Sequence, residues 1–267
     1  MLQHGQVAAP QFTAELLLAH AVRADRVYLR AHSDRELTDV EQVHFARYLR
    51  DRLAGVPTQY ITGRQEFWGL EIRVNPSVLI PRPETEHVVE RSLALARRES
   101  LSRILDCGAG SGCIALALAS ELPGTCILAS DISAAALNTA AANAQRLNLA
   151  PTFVCADLLE SFRDSSVDLL VSNPPYIAFS DAPTLAREVR DHEPAAALFA
   201  GPDGVDVYRR LIPDAARVLR PGGWAVVEIG HNVANAVREL FSAPVWRPLG
   251  VDRDLAGLDR VMYAQRV

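Results

Sequence analysis

The sequence contains no lysine; all 27 basic side chains other than histidine are arginine, as a GC-rich coding bias produces. No apolar run reaches the roughly 18 residues that a membrane-spanning helix needs. Met1 to Pro10 has no basic start followed by an apolar stretch, so no signal peptide is expected and the cytoplasm is the expected compartment. Cysteine is scarce: Cys107, Cys113, Cys126 and Cys155 form no C-x-x-C pair, and no His-x-His or Cys-His cluster accompanies them. The expectation is four small buried thiols in a reducing compartment. His4, His20, His32, His44, His87, His192 and His231 are scattered, so no metal site is expected. Tandem repeats are absent. The net charge of -5 argues against a protein held to nucleic acid by non-specific attraction to phosphate.

With 49% hydrophobic and 22% charged residues over 267 positions, the chain reads as an ordinary globular protein with one core and a small satellite. The front end is helical. Phe12, Leu16, Leu17, Leu18, Ala19 and Val22 recur at helical spacing, with core as the expected fate of Leu16, Leu17 and Val22. Val40, Val43, Phe45, Leu49 and Leu53 suggest a second helix that Gly55 and Pro57 end. From Phe67 to Ile80 the apolar residues alternate around Asn75-Pro76, which predicts a hairpin-like connector in which Trp68 packs. A helix follows from about Glu84 to Arg98.

After Arg103 short apolar strands alternate with helices. Strands are expected at 104–107, 126–130, 153–155, 167–172 and 224–229, with helices at 113–121, 134–146, 207–219 and 233–241. Pro221-Gly222-Gly223 is expected to end the helix before it, and segments around Val245 and Arg260 to Val267 to form a closing strand pair. Such alternation predicts an α/β fold with a parallel sheet covered on both faces, whose ligands bind beyond the C-terminal strand ends. The expected organisation is a helical domain over 1–65, a hairpin linker over 66–83 and the α/β domain over 84–267.

Three features sit at consecutive strand ends. Asp106-Cys107-Gly108-Ala109-Gly110-Ser111-Gly112 follows a strand and opens a helix, so a ligand can approach backbone without meeting a Cβ. Its third glycine falls one residue early for the G-x-G-x-x-G of a nicotinamide site. Asp131 ends the next strand, where a carboxylate can accept from both hydroxyls of a ribose, or simply start the next helix beside Ser133. Asp157 and Leu158 end the third, placed to take the amine and cover the face of an adenine, or to be an unliganded loop. In order, they favour an adenosine-containing cofactor.

Asn173-Pro174-Pro175-Tyr176 follows the fourth strand. Two prolines directly after a buried strand fix φ and remove donors, a costly choice for a plain turn. The pattern suits a planar, conjugated nitrogen, a poor nucleophile. The Asn173 oxygen can accept one N–H and the Pro174 carbonyl the other, turning the lone pair toward an electrophile. Tyr176 can stack on the planar group. The expected electrophile is the sulfonium methyl of S-adenosylmethionine, attacked in line, leaving S-adenosylhomocysteine.

These motifs, with Gly55-Val-Pro-Thr-Gln-Tyr-Ile-Thr-Gly63, Glu66-Phe-Trp-Gly-Leu70, Leu79-Ile-Pro-Arg-Pro-Glu-Thr-Glu86, His192-Glu-Pro194, Asp203-Gly204, Pro221-Gly-Gly223 and Glu228-Ile-Gly230, make the chain resemble the peptide-chain-release-factor glutamine methyltransferases along nearly its whole length. The resemblance implies a class I S-adenosylmethionine-dependent methyltransferase fold: Rossmann-like, a seven-stranded mostly parallel sheet, a small N-terminal helical domain that docks substrate, and a β-hairpin linker. It implies methylation of the glutamine amide in the Gly-Gly-Gln loop of release factors, and so a role in translation termination. By it, Gly108, Ala109, Gly110, Ser111, Gly112, Asp131, Leu158 and Asn173 match cofactor contacts, and Asn173, Pro174, Pro175 and Tyr176 the amide clamp. Arg82 and Glu193 match the peptide entrance. Cys107 and Ala109 stand where the family commonly has Leu and Thr, both small enough to keep the backbone contacts. A monomer that binds neither DNA nor membrane is expected. Three rival readings share parts of the pattern: a DNA adenine-amine methyltransferase, which must flip a base out of the duplex, a ribosomal-protein glutamine methyltransferase, and a binding module without turnover.

Overall fold

A computed structural model describes Val7, residues 9–241 and residues 244–267; His4 and most of the Met1 to Pro10 stretch lie outside the described residues. The chain divides into two compact units, Met1–Arg64 with Ala186–His192, and Gln65–Leu185 with Glu193–Val267.

The first unit carries α1 (Pro10–Val22), α2 (Arg26–Ala31), α3 (Asp39–Leu53) and α4 (Thr58–Thr62). Pro10 at the first turn of α1 gives up an N–H that has no partner there anyway. Thr38 and Glu41 open α3 with a reciprocal cap, each side chain taking the other's backbone N–H. Both expected helices are present, but their apolar positions are not all core. Leu17 is fully buried, whereas Phe12, Val40 and Val43 are exposed. Buried Arg52 donates to the Val56 carbonyl at 3.2 Å and pairs with Glu188, tying the later segment into this unit.

The second unit begins at Gln65, inside β1 (Arg64–Phe67), which is joined to β2 (Leu70–Arg73) by the two-residue turn Trp68-Gly69. Both turn residues have positive φ, +54° and +69°, as tight hairpins require. Trp68 is held there by its N–H to Glu86 at 2.9 Å and its indole to Glu121 at 3.1 Å. The hairpin is shorter than the alternation suggests. Residues 78–80 lie outside both strands of the hairpin, and the Ile80 N–H goes to the Glu193 carboxylate.

Next come a 3-10 turn (Pro83–Thr85), α5 (Glu86–Glu99), β3 (Arg103–Cys107), α6 (Cys113–Glu121), β4 (Cys126–Asp131), α7 (Ala134–Leu147), β5 (Thr152–Cys155) and β6 (Val167–Ser172). The remaining elements are a second 3-10 turn (Phe179–Thr184), α8 (Arg187–His192, of the first unit), α9 (Ala195–Leu198), α10 (Asp206–Val218), β7 (Leu219–Glu228), α11 (Ala234–Leu240), β8 (Gly250–Arg253) and β9 (Asp259–Gln265). The seven-stranded sheet runs β5-β4-β3-β6-β7-β9-β8. All neighbours are parallel except β9, which is antiparallel to β7 and β8. From β3 the chain winds outward through β4 and β5, then returns to β6 on the other side of β3. That reversal places the ends of β3 and β6 side by side, the crevice where such sheets bind ligands.

Helices cover the sheet by burying one stripe each. On α10 that stripe is Tyr208, Leu211, Ile212, Ala215 and Val218, packed in one cluster with Leu105, Leu170, Val227 and Met262. Each aliphatic side chain taken fully out of water contributes about 1.5–3 kcal/mol.

Three expectations are corrected. Helix α10 stops at Val218, and Pro221-Gly222-Gly223 lies within β7, not at a helix end. Val167 pairs with Leu219 but Leu169 with Trp224, so the residues between bulge out and Pro221 lacks a ladder bond to lose. The closing strand pair is β8 with β9; Val245 is in neither, and only an isolated bridge joins Trp246 to Arg266. Cys107 and Cys113 are buried but Cys126 and Cys155 are exposed, because one opens β4 and the other closes the edge strand β5; all four are free. Among the described residues, no helix is long and apolar enough to cross a membrane, and no group of three or more His, Cys, Asp or Glu is placed to hold a metal ion.

Candidate active site

The glycine loop leaves β3 and turns into α6. Gly108 and Gly110 have φ of +78° and +55°, and a Cβ added at either meets nothing within 4 Å. The loop therefore borders open space that side chains would fill. The Gly108 and Ala109 N–H groups donate to the Ser130 carbonyl at 2.8 and 2.9 Å, pinning the loop to the end of β4. From behind, fully buried Asn143 on α7 accepts the Arg73 N–H at 2.8 Å and donates to the Arg73 and Ser111 carbonyls at 3.0 Å. Hairpin, loop and helix are thus locked by one amide.

Asp131 is the last residue of β4. Its two oxygens accept the Gly110 and Ser133 N–H groups, each at 2.8 Å. Each oxygen keeps a lone pair for an outside donor, and the carboxylate cannot rotate away. Asp157 is less free than the sequence suggests. Its Oδ2 takes the Arg210 guanidinium at 2.7 Å, which leaves Oδ1. Leu158 beside it holds a φ of +48°, a conformation a branched side chain adopts only under constraint.

Asn173 to Tyr176 follow β6, whose Ser172 pairs with Cys107 of β3, so the clamp motif and the glycine loop leave adjacent strands. The segment behind the motif is sewn to 198–201. The Ile177 N–H donates to the Leu198 carbonyl at 3.0 Å, and the Ala200 N–H to the Ile177 carbonyl at 2.9 Å. The Asn173 Nδ2 donates to the Thr85 hydroxyl at 2.9 Å. Thr85 in turn donates to the Glu228 carboxylate at 2.6 Å. The Tyr208 hydroxyl caps the Glu228 carbonyl at 2.7 Å. Arg82 and Glu193 meet each other, Nη2 to Oε1 at 2.6 Å, with the Glu193 side chain almost fully buried.

Burial sets the protonation states. The Tyr176 phenol is pushed up to about 12, mainly by burial, and stays a donor at neutral pH. Burial pushes the Cys107 and Cys113 thiols up to about 12, so neither is a thiolate nucleophile. Asp106 and Glu228 are raised to about 7, again chiefly by burial; the Ala115 N–H opposes the rise at Asp106, and Thr85 opposes it at Glu228. Because their ordinary values are 3.8 and 4.5, the folded chain holds protons between about pH 4 and 7 that the unfolded chain has released. Stability therefore falls as pH rises through that window and levels off above it, by on the order of 3 kcal/mol per group. Urea midpoints between pH 5 and pH 7.5 check this. Asp106→Asn flattens the slope, and an unchanged slope refutes the assignment.

The structure brings the glycine loop, Asp131 and Asn173 to one end of the sheet. Thr85, Asp106 and Glu228 lie inside motifs quoted from the sequence, but the sequence alone assigned none of them a role. The available signal was an acid closing an apolar strand, Glu228 after Trp224 to Val227.

Residues 1–63 match the family described as PrmC N-terminal domain, and residues 91–190 match the methyltransferase small domain. A release factor glutamine methyltransferase from Koribacter versatilis is 43% identical over 266 residues, 99% of this chain and 94% of its own. One from Moorella thermoacetica is 44% identical over 268 residues, again 99% and 94%. Among solved structures, the T. thermophilus 16S rRNA N2 G1207 methyltransferase RsmC, in complex with AdoMet and guanosine, superposes with a TM-score of 0.55 at 21% identity, covering 76% of this chain and 50% of that one. The ribosomal protein L11 methylase of Lactobacillus delbrueckii subsp. bulgaricus gives 0.51 at 21%, covering 73% and 84%. At that identity the two structures speak for the fold alone. The full-length relatives speak for more, since their likeness runs through helical front end, glycine loop and clamp together, and the chain belongs to the release factor glutamine methyltransferase family.

Proposed function

We propose that this protein methylates the side-chain amide nitrogen of the glutamine in the Gly-Gly-Gln loop of a peptide chain release factor, using S-adenosylmethionine. The observation that carries it is the held Asn173 amide: its NH2 is committed to Thr85, so its Oδ1 is left to accept a substrate N–H. The open cradle at Gly108 and Gly110 fits the cofactor's backbone-contacting part, and Asp131 fits the ribose hydroxyls. Ala109, Ser111 and Gly112 complete the loop, Leu158 covers the adenine, and Asp157 offers Oδ1 to its amine. When bound, S-adenosylmethionine supplies a methyl group on a sulfonium, with sulfur leaving as the neutral thioether of S-adenosylhomocysteine.

Asn173 Oδ1 and the Pro174 carbonyl accept the two amide hydrogens, and Pro175 keeps that carbonyl stiff. Tyr176, protonated and half-buried, covers the planar amide. The nitrogen lone pair forms the new N–C bond as the S–C bond breaks, and the surplus amide proton leaves to water after attack. Arg82 and Glu193, locked together, shape the peptide entrance. Residues 1–65 dock the factor, with 66–83 as linker and 84–267 as catalytic domain; Phe12, Val27, Val40 and Val43 are exposed apolar side chains on the first of these.

The test is incubation with radiolabelled S-adenosylmethionine and either a release factor or duplex DNA. Label on the factor, lost when its Gly-Gly-Gln glutamine is changed to asparagine, is expected. Label on DNA alone overturns the proposal in favour of an adenine-amine methyltransferase.

A further inference from the structure

The amide clamp needs an acceptor, yet an asparagine side chain can present either its oxygen or its NH2 to a substrate. The two ends have the same shape, and only surrounding hydrogen bonds decide between them. Here the decision is made outside the clamp motif. Thr85 lies in the 3-10 turn before α5, 2% exposed, and Glu228 ends β7, 1% exposed. The Thr85 proton goes to Glu228 Oε2 at 2.6 Å, so the Thr85 oxygen can only accept, and it accepts from Asn173 Nδ2 at 2.9 Å.

Deepening the proposed function, and resting on it, we infer that Thr85 and Glu228 are positioning residues that lock Asn173 with its oxygen toward the substrate amide. A hydrogen-bond chain has a polarity. With Glu228 ionised it runs Asn173 to Thr85 to Glu228. With Glu228 protonated it can run the other way, and Thr85 then favours the flipped Asn173, whose NH2 opposes the substrate's N–H. The groups facing Glu228 are Glu84, which raises it, Arg260 and the Tyr176 hydroxyl, which lower it, and the buried Tyr208 and Cys113, which stay neutral. Burial outweighs all of them and places the reversal near pH 7.

The test uses the full-length protein with release factor under steady-state conditions, at varied factor concentration and pH. Thr85→Val keeps the shape and removes the hydroxyl. It is expected to lower kcat by about ten- to hundredfold, the range for losing an outer hydrogen-bond partner. KM for the factor and Kd for S-adenosylmethionine are expected to change far less than kcat, since most of both contacts lie outside Asn173. Thr85→Ser restores kcat. In an Asn173→Ala background Thr85→Val costs nothing further, because its effect passes through Asn173. The acid limb of wild-type kcat near pH 7 disappears in Thr85→Val. Additive losses, no rescue by serine, or an unchanged acid limb overturn the relay while leaving the proposed function standing. A wild-type protein that never labels the factor overturns the proposed function itself, and the relay with it.

Discussion

Replacing Asn173 by alanine is expected to lower methyl transfer to release factor by about 10²–10³-fold in kcat, the loss typical of removing one hydrogen-bonding group aimed at a reacting centre. An amide nitrogen reacts only when its lone pair leaves conjugation, and that geometry exists while both N–H groups are held. If the proposed clamp holds, losing Asn173 leaves the Pro174 carbonyl with one hydrogen, and the amide is expected to rotate about it. Thr85 keeps its bond to Glu228, so the core around it is preserved. S-adenosylmethionine affinity, read by calorimetry, and the thermal midpoint are expected to stay close to wild type. A variant that retains wild-type kcat sinks the clamp mechanism. One that loses cofactor binding in the same proportion assigns Asn173 to the cofactor instead.

Gly204→Ala is expected to be nearly as damaging from outside the motif. Gly204 has a φ of +77°, and a Cβ there falls 2.5 Å from the Tyr176 carbonyl oxygen and 3.3 Å from the Ala178 N. Both are backbone atoms of the segment that 198–201 holds in place, so no side chain can swing aside to absorb the clash. The loop after β6 must shift, carrying Tyr176 off the substrate amide, and misplacement by about 1 Å costs on the order of 10²-fold in rate. Stability falls as well, by about 1–3 kcal/mol for overpacking with the added strain of positive φ. The glycine cradle leaves the neighbouring strand, so cofactor affinity is expected to survive. Steady-state kinetics with a denaturation curve check the pair of effects. Full activity in this variant refutes the view that Gly204 supports the clamp.

The difference between these two residues marks what could be read in advance. Asn173 stands out in the sequence, because Asn-Pro-Pro-Tyr is contiguous and the chemistry proposed for it is carried by adjacent atoms. Gly204 looks like any turn glycine until the chain is folded against Tyr176. The same holds for Thr85, which lies 88 residues from Asn173 and 143 from Glu228. Arg82 and Glu193 stand out singly in the sequence, but their direct pairing across 111 positions does not. Asp157 reads as a free acid because Arg210, 53 residues on, is invisible at that range. Cys126 and Cys155 sit in apolar strands and look buried, and their exposure depends on which strand ends face solvent.

Short-range physics governed what the sequence alone determined. Hydrophobic period, proline and glycine punctuation and helix caps act over a few residues. From them came the alternation of strands and helices, the glycine loop after the first large-sheet strand, Asp131 at the end of the next, and the clamp motif after the fourth. Strand order and register involve partners far apart in the chain, and tertiary structure alone decided them. By setting β3 beside β6 and β6 beside β7, it joined the cradle to the clamp and brought Thr85 and Glu228 under Asn173. Local preference cannot carry such information, because a buried hydrogen bond exists only once both partners have been taken out of water together.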